Sequence, residues 1–383
     1  MAAKHKSTAK KKAATGGVGQ KKAAAKKAAS KKATSTQTTQ QPKKKAASKK
    51  TAAKKTPRKK ATAYGRRSTD VPPEQRPWIL VTGAGGTLAQ LVIARLKQHY
   101  RIVALDFRHK PEIRDCEASY CVQFTKREFE DIFRKYPLSG VLHLGRISAQ
   151  QLNRASRYNA NVIGSRKLLD LCARYGVGQV LIFSTYHVYG AHPYNPALID
   201  EEAPLKAAEL TMDLVDSVEL ENLATIYLWR HPEINVTVLR PCNVVGPGVN
   251  NTMARLLSGQ WAPWVVGFSP MMQFLHVDDA ASAVASCFRQ KQRGIFNVAP
   301  EDWVSYTRAL EAANCRRFPI PSMPEGAPYR VARTLRWRAF PPYLVNYFKY
   351  PVIIDGSLFR DTFGFEPRYS LHEIFAHYRE FKE

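Results

Sequence analysis

The residues best suited to chemistry form a glycine-rich turn between Thr82 and Ala89. Its sequence is TGAGGTLA, and it follows a short apolar run. Glycines between a strand and a helix let the backbone approach a pyrophosphate closely, and the first amides of the helix donate hydrogen bonds to it. The turn therefore predicts a phosphate cradle, with contacts from Gly83, Gly85, Gly86, Thr87 and Leu88.

A carboxylate follows at the spacing at which nucleotide-binding folds hold a ribose. Asp106 comes 20 residues after Gly86, at the end of a second apolar run. There it can accept hydrogen bonds from the adenosine ribose hydroxyls, which favours NAD as the cofactor. Arg108 could instead meet the 2′-phosphate of NADP. Both residues are predicted cofactor contacts, and NADP stays open.

The elements that must position these residues alternate between strands and helices. Apolar runs predict strands at 78–81, 101–106, 120–124, 140–144, 179–183 and 235–239, and helical spacing predicts helices over 88–96, 126–135, 149–175 and 210–229. This alternation predicts an α/β fold with a Rossmann-type, doubly wound parallel sheet. Beyond Pro247 the regularity weakens, which predicts a smaller C-terminal substrate lobe.

Composition separates a basic tail from the folded part. Residues 1–70 hold 23 Lys or Arg and one acid, so they carry +22 of the net charge of +28. With Tyr64 as its one aromatic residue, the tail cannot build a core and is predicted to be disordered. We divide the chain into the tail (1–70), a linker (71–77), an NAD(P)-binding Rossmann domain (78–248) and the smaller lobe (249–383). A strand and helix of the Rossmann part are expected to return near 274–300.

The lysine doublets of the tail resemble those of linker histones and bacterial histone-like proteins. Such charge attracts phosphate independently of sequence, which predicts non-specific binding of nucleic acid or another polyanion. The chain has no apolar run of about 18 residues, so no membrane span is predicted. Its six scattered cysteines form no metal-ligand pattern, and no metal is predicted. The expected location is cytoplasmic, with nucleoid association left open.

Five further motifs, in order along the chain, carry a family resemblance. The five motifs are VLHLG at 141–145, NVIGS at 161–165, IFSTYHVYG at 182–190, LRPCNVVGPG at 239–248 and FLHVDD at 274–279. They resemble motifs of the extended short-chain dehydrogenases/reductases, the NAD-dependent epimerase/dehydratase family. The closing segment, Asp355 followed by GFEP at 364–367, is similar to that of the same family.

The resemblance implies an NAD(P) cofactor, a nucleotide-sugar or similar polar substrate, and Thr185 as the hydroxyl that hydrogen-bonds that substrate. A homodimer stays open. The further cofactor contacts that the resemblance implies are Leu144, Gly145, Asn161, Pro241, Asn243 and Val244.

The catalytic pattern of the family is broken at one point. Its members use a Tyr and a Lys four residues later to exchange a proton with the substrate. Counting back from Glu221 puts Asp213 at the Tyr position and Ser217 at the Lys position, and no shift of register restores the pair. Asp213 is therefore the predicted alternative base. The further alternatives are Asp216, Tyr186, His187 and Tyr189, and the terminal pair Tyr378 and Lys382 is interpreted as coincidence.

Two functions remain open from the sequence. The first is an atypical epimerase/dehydratase-like enzyme with non-standard acid–base residues. The second is a catalytically silent NAD(P)-binding protein that its lysine-rich tail tethers to a polyanion. Whether the chain is an enzyme is not decided by the motifs, because the cofactor cradle is complete and the proton-transfer pair is missing.

Overall fold

Seven parallel strands form the central sheet of the part of the chain that the structure describes. The structure is a computed structural model and describes residues 72–108, 110–113, 115–124, 126–147, 153–322, 342–380 and 382. The predicted tail and residue 71 of the linker lie outside these residues. The strands of the described residues, inside and outside the central sheet, are β1 (Trp78–Thr82), β2 (Arg101–Asp106), β3 (Ala118–Cys121), β4 (Leu138–His143), β5 (Gln179–Phe183), β6 (Asn235–Pro241), β7 (Asn243–Val245), β8 (Trp261–Val265), β9 (Met271–Met272), β10 (Phe274–His276), β11 (Gly294–Val298), β12 (Val304–Ser305) and β13 (Arg316–Ile320).

The strand order of the sheet is β11-β6-β5-β4-β1-β2-β3, and every neighbouring pair is parallel. The order reverses at β1, which lies between β2 and β4. In open α/β sheets a ligand binds at such a reversal, in the crevice outside the carboxyl ends of the strands. The predicted α/β fold and doubly wound parallel sheet are confirmed.

Helices cover both faces of the sheet. The helices are α1 (Thr87–Leu96), α2 (Arg127–Lys135), α3 (Arg154–Tyr158), α4 (Gly164–Arg174), α5 (Ala207–Leu210), α6 (Val215–Arg230), α7 (Thr252–Ser258), α8 (Val277–Gln290), α9 (Tyr306–Ala312), α10 (Ser357–Phe363) and α11 (Leu371–Glu380). One buried cluster includes residues of α1 and α8, and the other includes residues of α2, α4 and α6. A π-helix, Asn159–Ile163, joins α3 to α4.

Small two-stranded sheets lie beyond the central one. β8 pairs with β13, β9 with β12 and β10 with β7. β11 pairs with β6, so the strand at 294–298 belongs to the central sheet. Within the described residues, no helix is long and apolar enough to cross a membrane.

Three predicted elements differ from the structure. The strand expected at 120–124 is β3, which ends at Cys121 because its partner β2 ends opposite it at Asp106. The helix expected over 149–175 contains the π-helix, and residues 148–152 lie outside the described part.

The helix expected over 210–229 is interrupted between α5 and α6. At the break the Asp213 amide donates to Thr211 Oγ1, a local bond that competes with the helical pattern. Asp213 therefore precedes the helix that carries Ser217, whereas the predicted uninterrupted helix would have put both on one helical face.

Candidate functional site

The glycine turn lies directly against the end of β4. Gly83 has a φ of +69°, which favours glycine, and a Cβ built on it would lie 2.3 Å from the Cα of Gly145. A Cβ on Gly145 would lie 2.8 Å from the Gly83 nitrogen. Two of the predicted cofactor residues are thus in backbone contact at the point where the strand order reverses, and neither position has room for a side chain.

Asp106 holds this turn from the side of β2. Its Oδ2 accepts from the Gly85 amide at 3.1 Å, and its Oδ1 accepts from the Arg108 amide at 3.0 Å. The carboxylate is fully buried, whereas the Arg108 side chain is 57% exposed and its Nε lies 3.7 Å from Asp106 Oδ1. The acid therefore fixes the turn and leaves the guanidinium at the surface beside it.

The N-terminus of α1 faces the same crevice. Gly86 is its N-cap residue, and no side chain of the described residues caps it. The amides of Thr87 and Leu88 belong to the first turn and have no intrahelical acceptor, so they are suited to bind an anion. Thr87 Oγ1 donates to the Gly248 carbonyl at 2.7 Å, which ties the loop after β7 to this helix.

Asn161 forms hydrogen bonds with the backbone of the segment that follows β4. Its Oδ1 accepts from the Ile147 amide and its Nδ2 donates to the Ile147 carbonyl, both at 2.9 Å. Nδ2 also donates to Asp216 Oδ2. Leu144 and Gly145 precede Ile147, so Asn161 fixes the strand end against which the glycine turn packs.

The predicted contacts after β6 are held by other protein groups. Pro241 is the last residue of β6 and Val244 lies in β7. Asn243 Nδ2 donates to the Gln273 carbonyl, and Asn243 Oδ1 accepts from the Tyr186 hydroxyl. This group is therefore linked to the Thr185 turn through Tyr186.

Thr185 follows β5 and pairs with a histidine. Its Oγ1 lies 2.8 Å from His187 Nδ1 and accepts from the His187 amide at 3.3 Å. The imidazole lies between two rings, with centroid distances of 4.2 Å to Tyr186 and 4.7 Å to Tyr347. Burial, and next the charge of Arg146, lower the pKa of His187 to about 3, so its ring is neutral at physiological pH.

Asp213 and Asp216 belong to an ion-pair cluster. Arg154 Nε donates to Asp213 Oδ1 at 3.0 Å, and Arg157 Nη2 donates to the Asp213 carbonyl at 3.1 Å. Arg157 Nε lies 3.5 Å from Asp216 Oδ2, with both side chains 3% exposed. Asp216 Oδ1 and the buried Ser217 hydroxyl have no hydrogen-bond partner among the described residues. One buried hydroxyl without a partner thus lies at the family's Lys position, and one carboxylate oxygen without a partner belongs to the residue before it.

Two other tyrosines considered for catalysis bind protein groups. Tyr189 Oη donates to Asn297 Oδ1 and accepts from Arg240 Nη1, and burial raises the pKa of Tyr189 to about 12. Tyr378 Oη accepts from the Gly246 amide at 2.8 Å, while Lys382 Nζ donates to the Ala313 carbonyl. Tyr378 and Lys382 therefore each hold a different part of the fold.

The donor set fits a dinucleotide. The turn offers close backbone approach between Gly83 and Gly145, and α1 offers amides beside it. Asp106 stands at the end of β2, and Ser217 adds a buried hydroxyl without a partner. Among the described residues, no group of three or more acidic, His or Cys side chains is arranged to hold a metal ion.

Comparison with known proteins agrees with this geometry. Residues 79–299 match the NAD dependent epimerase/dehydratase family. The chain belongs to this family. An uncharacterized protein of Mycobacterium tuberculosis is 26% identical over 316 residues, which cover 80% of this chain and 84% of that protein. Short-chain dehydrogenase/reductase family 42E member 1 of Xenopus laevis is 26% identical over 54% of this chain and 56% of its own length.

Solved structures of similar fold include two epimerase/dehydratase enzymes. The dTDP-glucose 4,6-dehydratase of Bacillus anthracis, in complex with NAD, superposes with a TM-score of 0.63 at 16% identity over 80% of this chain and 96% of that one. UDP-glucuronic acid 4-epimerase of Bacillus cereus, in complex with UDP-glucuronic acid and NAD, has a TM-score of 0.62 at 17% identity over 79% and 98%. The predicted family membership is confirmed.

Three residues of this candidate site were not predicted from the sequence. Arg146 directly follows Gly145 at the end of β4, Arg157 reaches both acids from α3, and Tyr347 contacts His187 from the 3-10 helix Pro342–Phe348. A charged residue two positions after a predicted strand was a usable signal for Arg146. For Arg157 and Tyr347 the local sequence carries no such signal, because their partners are far away along the chain.

Proposed function

We propose that this chain binds NAD and acts on a nucleotide-sugar or similar polar substrate, as an epimerase/dehydratase-type enzyme with acid–base groups other than a Tyr and Lys pair. The observation that carries the proposal is the cradle at the sheet reversal. Gly83 touches Gly145 there, and Asp106 holds the Gly85 amide.

The protein groups have separate roles toward the dinucleotide in this proposal. The amides of Thr87 and Leu88 bind the pyrophosphate, and Asp106 at the end of β2 binds the adenosine ribose. The Asp106 carboxylate also disfavours a 2′-phosphate by charge repulsion, so we propose NAD over NADP despite the exposed Arg108. When bound, the nicotinamide supplies a hydride acceptor or donor.

The substrate class rests on the relatives. One solved relative holds UDP-glucuronic acid with NAD, and another holds UDP-glucose with NAD. We propose that Thr185 hydrogen-bonds the reacting hydroxyl of such a substrate. Asp213 remains the base predicted from the sequence. Its Oδ1 lies 3.0 Å from Arg154 Nε and 3.8 Å from Arg157 Nη2.

Calorimetric titration of the full chain with NAD+, NADH, NADP+ and NADPH tests the cofactor proposal. We expect NAD+ or NADH to bind more tightly than the phosphorylated forms, and Asp106→Ala to remove that preference. Arg108→Ala is the matched variant, because it keeps the acid and removes the neighbouring guanidinium. Absence of both binding heat and a thermal shift with all four nucleotides would refute the proposal.

Turnover on a panel of UDP- and dTDP-linked sugars tests the enzyme proposal. Loss of turnover in Asp213→Asn, with an unchanged Kd for NAD+, supports proton transfer by Asp213. Unchanged turnover in that variant leaves Asp213 the role of an ion-pair partner of Arg154 and Arg157. Absence of turnover with every sugar, combined with tight NAD+ binding, favours the silent dinucleotide-binding protein.

A second proposal concerns the tail and rests on the charge of residues 1–70. A net charge of +22 over 70 residues is suited to neutralise phosphates by counterion release. We propose that the tail tethers the NAD-binding domain to nucleic acid or another polyanion, in the cytoplasm or at the nucleoid. Binding of duplex DNA should weaken steeply with salt and disappear when residues 1–70 are deleted. Salt-sensitive binding that survives this deletion contradicts the proposal.

Homodimer formation is a further proposal, supported by exposed apolar side chains on α6. Trp229 is 78% exposed and Ile226 is 52% exposed. Patches of this kind often mark protein interfaces. Analytical ultracentrifugation of the full chain and of Trp229→Glu tests it. A wild-type protein that sediments as a monomer at micromolar concentration would exclude a stable dimer.

A further inference from the structure

The His187 imidazole is fixed on three sides. Nδ1 lies 2.8 Å from Thr185 Oγ1, and the Tyr186 and Tyr347 rings pack against it. Tyr347 Oη also donates to the His187 carbonyl, so the backbone of this residue is held by the same tyrosine. Nε2 has no hydrogen-bond partner among the described residues. The protein therefore fixes the orientation of the ring, and Nε2 is available to form a hydrogen bond with a ligand.

The position of this ring relative to the cofactor cradle follows from the sheet. Thr185 and His187 come directly after β5, and β5 pairs with β4. β4 in turn ends at the residues that touch the glycine turn. The Thr185 and His187 pair therefore lies at the carboxyl edge of the sheet, next to the strand end that forms one wall of the crevice.

The other candidates for proton transfer have protein partners. Tyr186 Oη donates to Asn243 Oδ1, and Tyr189 Oη is bound to both Asn297 and Arg240. Asp213 and Asp216 are ion-paired with arginines. Of the residues considered from the sequence, Asp216 Oδ1 and His187 Nε2 lack a hydrogen-bond partner in the described part of the chain, and of these two His187 lies outside the ion pairs with arginine.

The charge state of the ring suits a proton acceptor. Among the described residues, the titratable or charged groups that face it are Tyr186 on its own turn, Tyr347 from the C-terminal region and Arg146 after β4. No acid of the described residues pairs with Arg146. Burial and the Arg146 charge keep the imidazole neutral, with its pKa lowered to about 3. A neutral imidazole has one ring nitrogen with a lone pair, and that nitrogen can accept a proton.

We propose that Thr185 and His187 replace the missing Tyr and Lys pair, with His187 Nε2 accepting the proton of the reacting substrate hydroxyl. This inference rests on the proposed function. The O–H proton passes to Nε2, the O–H electron pair becomes the second bond of the carbonyl, and the hydrogen on carbon leaves as hydride to the oxidised nicotinamide. The reverse step returns the proton from the imidazolium. Thr185 is the positioning residue, because it fixes which ring nitrogen faces the substrate.

The first test uses nitrogen-15 NMR of the full chain with labelled histidine, in the presence of NADH. The probes are UDP-glucose and UDP-glucuronic acid, and the His187 signal is assigned by its loss in His187→Gln. We expect the Nε2 resonance to shift when a probe binds, because the probe hydroxyl becomes its hydrogen-bond partner. The exposed His99 provides the control signal and should not move.

The second test separates proton transfer from folding. His187→Gln should lower kcat by about 100-fold or more, the usual size of a lost acid–base group, while the Kd for NAD+ stays within about twofold. His99→Gln should leave both unchanged. Thr185→Val, which removes the hydroxyl, should lower kcat, and Thr185→Ser, which keeps it, should restore most of the rate.

The outcomes distinguish this inference from the proposed function. A probe that binds by calorimetry without moving the Nε2 resonance overturns the inference and leaves the proposed function standing. A wild-type kcat in His187→Gln likewise overturns the inference and leaves the proposed function standing. If neither probe gives binding heat, the nucleotide-sugar part of the proposed function fails and the inference fails with it, whereas NAD+ binding is judged separately by its own titration.

Discussion

Replacing Gly83 by alanine should weaken dinucleotide binding, because the turn has no room for a methyl group. The added Cβ would lie 2.3 Å from Gly145 Cα and 2.5 Å from Gly145 N. These distances are about 1 Å or more shorter than an ordinary contact of about 3.5 Å. Both neighbouring atoms are backbone, so the turn or the end of β4 must move by about 1 Å. Displacements of that size at a binding site can cost about 100-fold, and we expect the Kd for NAD+ to rise by about that factor.

Gly176 provides a matched control for this substitution. Its φ is +68°, against +69° at Gly83, and a Cβ there would meet no atom within 4 Å. Both alanines bear the left-handed backbone cost of about 1–2 kcal/mol, and Gly83→Ala should lose about 1–3 kcal/mol more in the free energy of unfolding from overpacking. Urea unfolding and calorimetry with NAD+ measure the two effects. Wild-type affinity in Gly83→Ala would refute the cradle, as would an equal loss of affinity in Gly176→Ala.

Three further predictions concern stability. Burial lowers the pKa of His143 to about 4, so between about pH 4 and pH 6.5 the folded state binds fewer protons than the unfolded state. The free energy of unfolding should therefore fall by about 3 kcal/mol as the pH falls through this range. Urea unfolding of His143→Gln should lack that loss. Arg157→Leu should lower the free energy of unfolding by about 3–5 kcal/mol by leaving Asp216 buried without its ion pair, and the double variant with Asp216→Leu should recover most of it. Tyr378→Phe should cost about 1–3 kcal/mol in urea unfolding, because the Gly246 amide loses its acceptor, and a large loss of turnover at wild-type stability would instead assign Tyr378 to catalysis.

The central sheet could be predicted because its signals are local. The strand residues of β1, β2 and β5 are apolar runs that are buried in the sheet, and each one ends close to its predicted boundary. Predicted element boundaries that depend on contacts with another residue or strand were less accurate. β3 ends where β2 ends, and the break before α6 depends on a Thr211 side chain that accepts a backbone hydrogen bond.

The site was only partly predictable, because some of its contacts join residues that are far apart in the sequence. A family motif identifies Thr185 by its place after β5, yet the same motif does not say that the His187 ring turns back to it. Arg157 lies in α3, 56 residues before Asp213, and only tertiary packing brings its guanidinium between the two acids. Residue types could therefore reveal that the Tyr and Lys pair is missing, and could not reveal what occupies its place.

The ion-pair cluster determines how the missing pair should be interpreted. Asp213 and Asp216 bring two negative charges to this region, and Arg154 and Arg157 bring two positive charges, so the four side chains balance. Arg157 and Asp216 are both buried, and buried charges are tolerated only when they are paired, so removal of one leaves the other uncompensated. The Arg157 guanidinium of α3 thus provides a cation beside Asp216, the residue before the position at which the family pattern has a lysine, but it is ion-paired with acids and is not a proton carrier. In the further mechanism that we propose, the proton is instead accepted by a group outside the cluster, the His187 imidazole after β5.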